Sequence, residues 1–271
     1  MNMAWFMGIN IDSGTSKGVI TKDGELVTYY LLPSGANYRV AAQELRKELL
    51  ARAGLIPEDI ASTVVTGYGA GSVPFSSSEV ADLRCCARGI RAIFPSVRTV
   101  IDVGEQSTQA IRLSEGGQVI NFAVSERCAT GSGRFLNIIA NVLRIDRKDI
   151  GPLSLKSKNP VTFTTGCAVF TESEAVSRVA EGVAKEDILA GVHKALADKI
   201  STFVDRVGLE EQCAISGSSL DIGLIKNVEK KLGVQLLVPP QPQIVTALGA
   251  AIMAEESQGL VSPPEKLPGR R

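Results

Sequence analysis

Phe6-Met-Gly-Ile-Asn10-Ile-Asp12-Ser-Gly-Thr-Ser-Lys17-Gly-Val-Ile-Thr21, continued by Asp23-Gly24 and Leu26–Leu31, reads as three strands joined by two turns. Apolar and small residues fill Phe6–Ile11, Gly18–Thr21 and Leu26–Leu31, and Asp23-Gly24 is a two-residue hairpin signal. Shifted by 92 residues without a gap, the pattern returns. Asn10 falls on Asp102, Ile11 on Val103, Ser16 on Thr108, Val19 on Ile111 and Val27 on Val119, and the turn Asp23-Gly24 falls on Glu115-Gly116. Two halves that each open with a three-stranded meander predict a duplicated α/β architecture; the alternative is two unrelated hairpins.

Outward from the meanders, Tyr38–Arg52 puts Ala41, Leu45 and Leu49 on one helical face. Thr63–Thr66 is a β-rich run ending at Gly67, and Ser78–Phe94 carries Val80, Leu83, Cys86 and Ile90 on one stripe. Past the second meander, helices are predicted over Arg134–Leu143, Thr171–Val183 and Glu186–Val207. A short strand, Cys213–Ser216, breaks at Gly217-Ser218-Ser219 into a helix over Leu220–Leu232. A strand Val234–Val238 meets Pro239-Pro240, and a last helix spans Gln243–Glu256. The tail from Ser257, with Pro263, Pro264 and Pro268, is expected to be disordered.

The chain has 271 residues, 44% hydrophobic and 21% charged, values of a globular protein of one large or two small domains. Twenty-nine basic and 29 acidic residues cancel, so no electrostatic footprint for nucleic acid or a membrane surface is present. The 11-residue apolar run Ile244–Ala254 is too short to cross a bilayer, and the N-terminus lacks a charged leader pattern. The sequence reads as cytoplasmic. Five cysteines, an odd number without a Cys-x-x-Cys pair, do not form a disulfide scaffold.

Two loops are rich in the residues that hold phosphate. Asn10–Lys17 and Asp102–Thr108 offer backbone N–H groups, hydroxyls and a carboxylate suited to a metal-bound phosphate, although tight hairpin turns alone could have this composition. Gly217-Ser218-Ser219 lies at a strand-to-helix junction, a place where a nucleotide can approach closely. Cys128, in Glu126-Arg-Cys-Ala-Thr-Gly-Ser-Gly-Arg, and Cys167, in Thr165-Gly-Cys-Ala-Val-Phe-Thr-Glu, each precede a helix, where the dipole favours thiolate. Two thiols are too few for a four-thiolate site, so two chains would be needed to complete one; the bland reading is a pair of partly buried cysteines. Cys85, Cys86 and Cys213 are read as packing residues and His193, the only histidine, as structural. Glu172 and Glu174 suit a helix start.

Taken together, these motifs resemble the ATP-dependent activators of 2-hydroxyacyl-CoA dehydratases and the ATPase subunits of benzoyl-CoA reductase. The resemblance runs from about Gly8 to Ala254 and is strongest through Arg127–Leu136, Cys167–Glu174 and Val238–Gly249. The wording Ala-Thr-Gly-Ser-Gly is closer to the benzoyl-CoA reductase branch. The resemblance implies two duplicated ribonuclease-H-like domains of the actin-like ATPase kind, with ATP and Mg2+ in an interdomain cleft. Domain I would cover residues 1–97, completed by the helix 241–256, and domain II residues 98–240. It further implies one four-iron four-sulfur (4Fe-4S) cluster per dimer, ligated by Cys128 and Cys167 of each protomer. The second protomer would be a copy of the chain or a paralogous ATPase subunit. One low-potential electron, supplied by a donor such as ferredoxin or flavodoxin, would pass to an iron–sulfur acyl-CoA dehydratase or reductase component.

Carried onto this chain, the resemblance makes Asp12, Asp102 and Gln106 the candidate catalytic residues. Candidate ATP-binding residues in the first loop are Asn10, Ser13, Gly14, Thr15, Ser16 and Lys17; Gly104, Gly217, Ser218 and Gly249 complete the set. The loops depart from the family wording. Gly-x-Asp-x-Gly-Ser is here Gly8-Ile-Asn10-Ile-Asp12-Ser13, and Asp-x-Gly-Gly-Gln-Asp is Asp102-Val-Gly104-Glu105-Gln106-Ser107. The expected Gly-Gly ahead of the adenosine-side helix is Gly217-Ser218, and a helix position usually carrying histidine is Cys86. An intact cluster role with slowed or altered ATP turnover is therefore expected. Two alternatives stay open: a small-molecule kinase of the same superfamily, which leaves Cys128 and Cys167 unexplained, and a cluster-carrying subunit with a degenerate ATP site.

Overall fold

The computed structural model describes residues 4–125, 132–164 and 168–259. The chain divides into two compact units. One holds the residues up to Val100, Leu113–Ile120 and the segment from Pro239; the other holds Ile101–Arg112 and Asn121–Val238. Among the described residues there are two sheets, one of five strands and one of four.

In the first sheet, β1 (Trp5–Ile11), β2 (Thr15–Lys22) and β3 (Glu25–Pro33) form the antiparallel meander, and β4 (Ile60–Thr66) and β5 (Ser78–Glu79) extend it in parallel. The order is β3-β2-β1-β4-β5. Asp23 and Gly24 both take positive φ, 53° and 77°, as a two-residue turn matching the twist of its strands requires. Helix α1 (Tyr38–Ala53) starts at Asn37, whose side chain accepts from the N–H groups of Arg39 and Val40, and stops at left-handed Gly54. Its Leu45 and Leu49 pack with Ile9, Ile11 and Ile20 on one side of the sheet. Helices α2 (Asp82–Ile93) and α8 (Val245–Glu256) supply two further apolar clusters, Val19 with Ala247, Leu248 and Ala251, and Phe6 with Val64, Cys85, Ala250 and Ala254. The approach is close enough that a Cβ on Gly8 would collide with the Ala247 carbonyl.

The second sheet repeats the plan. Strands β6 (Thr99–Val103), β7 (Thr108–Leu113), β8 (Val119–Val124) and β9 (Cys213–Ser216) run in the order β8-β7-β6-β9, the counterpart of β3-β2-β1-β4. Helices α3 (Gly133–Leu143), α4 (Ile150–Ser154), α5 (Ala168–Ala180), α6 (Lys185–Val207) and α7 (Ile222–Leu232) accompany it. One core joins Ile101, Val103, Phe135, Leu136, Ile188, Val192, Ile215 and Leu224.

Three expectations need correction, and one helix was not expected. The helix predicted from Ser78 begins at Asp82, because Ser78–Glu79 pair with Val64 and Val65 and the Val80 N–H bonds Val65 O at 3.0 Å. Sheet pairing thus takes residues that helical periodicity claimed. The helix predicted over Thr171–Val183 spans Ala168–Ala180, closing where Gly182 turns back onto Val179. Val234–Val238 is not a strand; Leu237 alone bridges to Ala214, and the prolines that follow cannot donate to a ladder. The five-residue α4 was not foreseen, being too short for a periodic signal. Ser257–Gly259 form a turn after α8, and the rest of the tail lies outside the described residues.

Candidate functional site

The first loop is the bend between β1 and β2. Asn10 faces Lys17 and Ile11 faces Ser16 in the antiparallel register, leaving Asp12, Ser13 and Gly14 to make the turn. Side chains directly opposed across strands lie on one face, so Asn10 and Lys17 share one. Both are buried, at 4% and 3% exposure, which obliges their polar atoms to find partners. The Lys17 ammonium forms an ion pair with the Asp12 carboxylate, which is 29% exposed at the turn. Asn10 Oδ1 is buried without a hydrogen-bond partner. Ser16 Oγ is bonded to Ser34 Oγ at 2.8 Å, so its hydroxyl serves the strand; Ser13, Gly14 and Thr15 remain half-buried at the turn. A carboxylate not singled out from sequence, Asp82 at the start of α2, belongs to the same environment. Burial and the negative charge of Asp12 raise its carboxyl above the usual range, against the lowering effect of the Leu83 N–H. From sequence alone, Asp82 lies inside the helix predicted from Ser78, off its apolar stripe, so nothing flagged it.

The second loop bends between β6 and β7. Asp102 Oδ1 accepts from Ser216 Oγ on β9 at 2.9 Å, and Oδ2 lies 3.4 Å from Gln109 Nε2. Gln109 thus stands where the repeat puts Lys17, and Asp102 where it puts Asn10. Gly104 N–H closes the loop onto Ser107 O at 2.9 Å, Glu105 is half-buried, and Gln106 is exposed. Two neighbours are locked to this loop. Gly133 and Arg134, the first residues of α3, donate their N–H groups to Gly104 O and Glu105 O, both at 2.9 Å. From β9, Gly217 takes φ +120° against the Val103 backbone, and Ser219 N–H bonds Val103 O at 3.1 Å. Ser218 Oγ is buried without a hydrogen-bond partner. Gly249 lies elsewhere, in the middle of α8, where a Cβ would strike Cys85 O of α2; its small size is required by helix packing.

Cys128 and Cys167 lie outside the described residues. Their flanks are described: α3 begins at Gly133 and α5 at Ala168, directly after Cys167. Thr164, shortly before Cys167, is tied to α5, its N–H and Oγ1 donating to Glu174 Oε2 at 3.0 and 2.9 Å. Burial raises the Glu174 carboxyl, but these bonds and Arg178 outweigh it and hold it below the usual range. The other three cysteines, Cys85, Cys86 and Cys213, are buried and form no disulfide. Burial pushes Cys85 and Cys213 up to about 12, which favours the protonated thiol. Among the described residues, no group of three or more His, Cys, Asp or Glu could hold a metal ion. No helix among them is long and apolar enough to cross a membrane.

The sequence profile of the BadF/BadG/BcrA/BcrD ATPase family matches residues 7–254. The chain belongs to this ATPase family. Its fold is that of the actin-like ATPases. This ATPase is 36% identical over 250 residues to the 2-hydroxyisocaproyl-CoA dehydratase activator of Clostridioides difficile, covering 92% of this chain and 94% of the relative. It is 31% identical over 257 residues to one of the benzoyl-CoA reductase subunits of Thauera aromatica, covering 90% and 91%. Whole-chain identity thus runs higher toward the dehydratase activators than the Ala-Thr-Gly-Ser-Gly wording suggested. The ATPase also superposes on a solved structure of the activator of 2-hydroxyisocaproyl-CoA dehydratase from Clostridium difficile with bound ADPNP. That match has a TM-score of 0.88 and 33% identity, covering 97% of this chain and all of the other.

Proposed function

We propose that the protein is an ATP-dependent activator that delivers a low-potential electron to an iron–sulfur acyl-CoA dehydratase or aryl-CoA reductase component. Its electron would rest on a 4Fe-4S cluster held by Cys128 and Cys167 of two protomers, the second being another copy or a paralogous ATPase subunit. The observation that carries the reading is membership, over residues 7–254, of an ATPase family with relatives named as dehydratase activators, in a chain that carries both cysteine motifs.

The donor chemistry fits the cluster. Thiolate sulfur is the ligand such clusters take, four are required, and one chain offers two, each preceding a helix in sequence. Bound there, the cluster supplies one-electron redox chemistry at low potential. Mg2+ would be held by carboxylate oxygen, which the first loop offers at Asp12 and the second at Asp102, and would neutralise charge developing on the phosphates.

The chain's own residues do the rest. Backbone N–H groups and hydroxyls of Ser13, Gly14 and Thr15 grip phosphate oxygens, with Lys17 supplying a positive charge. Gly104 lets the second loop approach the phosphates, and Gln106 orients the attacking water. Gly217 and Ser218 face the adenosine. When the terminal phosphate leaves, any shift of the Gly104-Glu105 carbonyls either drags the start of α3 or breaks two backbone bonds worth ~1 kcal/mol each. That helix start lies five residues after Cys128 in sequence, and through it nucleotide state would reach the cluster. Ferredoxin or flavodoxin would reload the protein with an electron.

The test is to mix the reduced protein anaerobically with a 2-hydroxyacyl-CoA dehydratase component and follow dehydration. Dehydration with ATP but not with ADPNP is expected. Dehydration independent of nucleotide would contradict the proposal.

A further inference from the structure

A part-buried ionic network lies directly behind the Gly217-Ser218-Ser219 loop. Arg147, in the 3-10 turn Arg147–Asp149 between α3 and α4, forks: Nη1 donates to Asp221 Oδ2 at 3.0 Å and Nη2 to Ser219 O at 2.8 Å. Asp221 caps α7, accepting from Leu224 N–H at 3.0 Å. His193, fully buried on α6, sets Nε2 3.1 Å from the Asp221 carboxylate and Nδ1 2.9 Å from Ser154 Oγ. Two glycines keep room for it. A Cβ on Gly223 would collide with Ser154 Oγ, and one on Gly151 would stand 2.7 Å from Asp221 Oδ1.

A helix cap needs far less. A lone Asp at an N-cap contributes ~1 kcal/mol, whereas burying charged groups together costs several. What the extra groups achieve is a fixed loop. Ser219 is held by Val103 O through its N–H and by Arg147 through its carbonyl, while Gly217 rests on β6. Between these two anchors sits Ser218, its Oγ buried with no hydrogen-bond partner.

We infer that Arg147 and Asp221, braced by His193, are positioning residues that fix Ser218 and its loop for the nucleoside part of the bound nucleotide. Neither touches the nucleotide; both act through Ser218 and the loop backbone. This rests on the ATP-dependent reading above.

Binding of ADP and of inorganic tripolyphosphate to the full chain, with melting temperature alongside, tests it. Tripolyphosphate uses the phosphate loops but not the nucleoside loop. R147A should weaken ADP about tenfold, equivalent to ~1.4 kcal/mol, and leave tripolyphosphate within about twofold. R147K, keeping one of the two bonds, should recover part of the loss. In an S218A background R147A should cost clearly less, since the two act as one unit. ADP affinity unchanged in R147A and R147K, or ADP and tripolyphosphate weakened in proportion, would overturn the inference alone. A wild-type chain that binds neither ligand would overturn the ATP reading and this inference with it.

Discussion

Lys17, buried in β2, is neutralised by Asp12 at the hairpin turn and not by Asn10, the residue directly opposite it on β1. A buried ammonium needs a counter-charge wherever the chain can supply one, and Asp12 supplies it.

The charge arrangement gives the first expectation. D12N should destabilise the protein by about 3 kcal/mol in urea unfolding, because a buried lysine loses its partner. N10D alone should not raise ATP hydrolysis, since it adds a second carboxylate beside a satisfied one. N10D combined with D12N should restore most of the lost stability. Recovery absent from the double variant would show that position 10 cannot reach Lys17.

Gly217 should tolerate nothing larger. Its φ of +120° disfavours any side chain, and a Cβ would collide with Val103 O. G217A is expected to lower stability by about 2 kcal/mol or more and to abolish ADP binding, measured by unfolding and calorimetry.

The Asp221 network predicts an acid-sensitive term. Burial raises the Asp221 carboxyl, but the His193 hydrogen bond and charge, the Leu224 N–H and Arg147 outweigh it and hold it at about 2, against an ordinary 3.8. A carboxyl depressed in the folded state contributes stability that is present above its unfolded value and is lost as pH falls through the folded one. Between pH 4 and 2 the wild type should therefore lose about 2 kcal/mol more than D221N, read from urea unfolding across that range.

Buried thiols at Cys85 and Cys213, raised to about 12, should resist iodoacetamide at pH 8 in the folded protein and react only in urea. Mass mapping of the alkylated sites checks this; labelling of either in the native chain would contradict the burial.

What was legible in sequence was local. The repeat pairing Asn10 with Asp102 and the Asp23-Gly24 turn depend on period-two patterning and turn chemistry, and the meander orders β3-β2-β1 and β8-β7-β6 follow from them, whereas the places of β4 and β9 beside them do not. The Asp12–Lys17 pair was not legible, since it depends on which of two nearby polar side chains reaches a buried ammonium. Nor was Arg147 with Asp221 and His193, contributed by three elements 28 to 74 residues apart. The early start given to α2 failed for the same reason: pairing with β4, a contact distant in sequence, claimed Ser78 and Glu79. Within the site, hairpin residues could be nominated by type, but Asp82 and Gln109 acquire their roles only from their neighbours.

The central claim is tested most directly by iron and acid-labile sulfide per chain after strictly anaerobic purification, with the mass of the assembly. A shared four-thiolate cluster predicts about two irons and two sulfides per chain in a dimer, lost together in C128S and in C167S. A chain that stays free of iron even after cluster reconstitution, or iron retained in both variants, would contradict it.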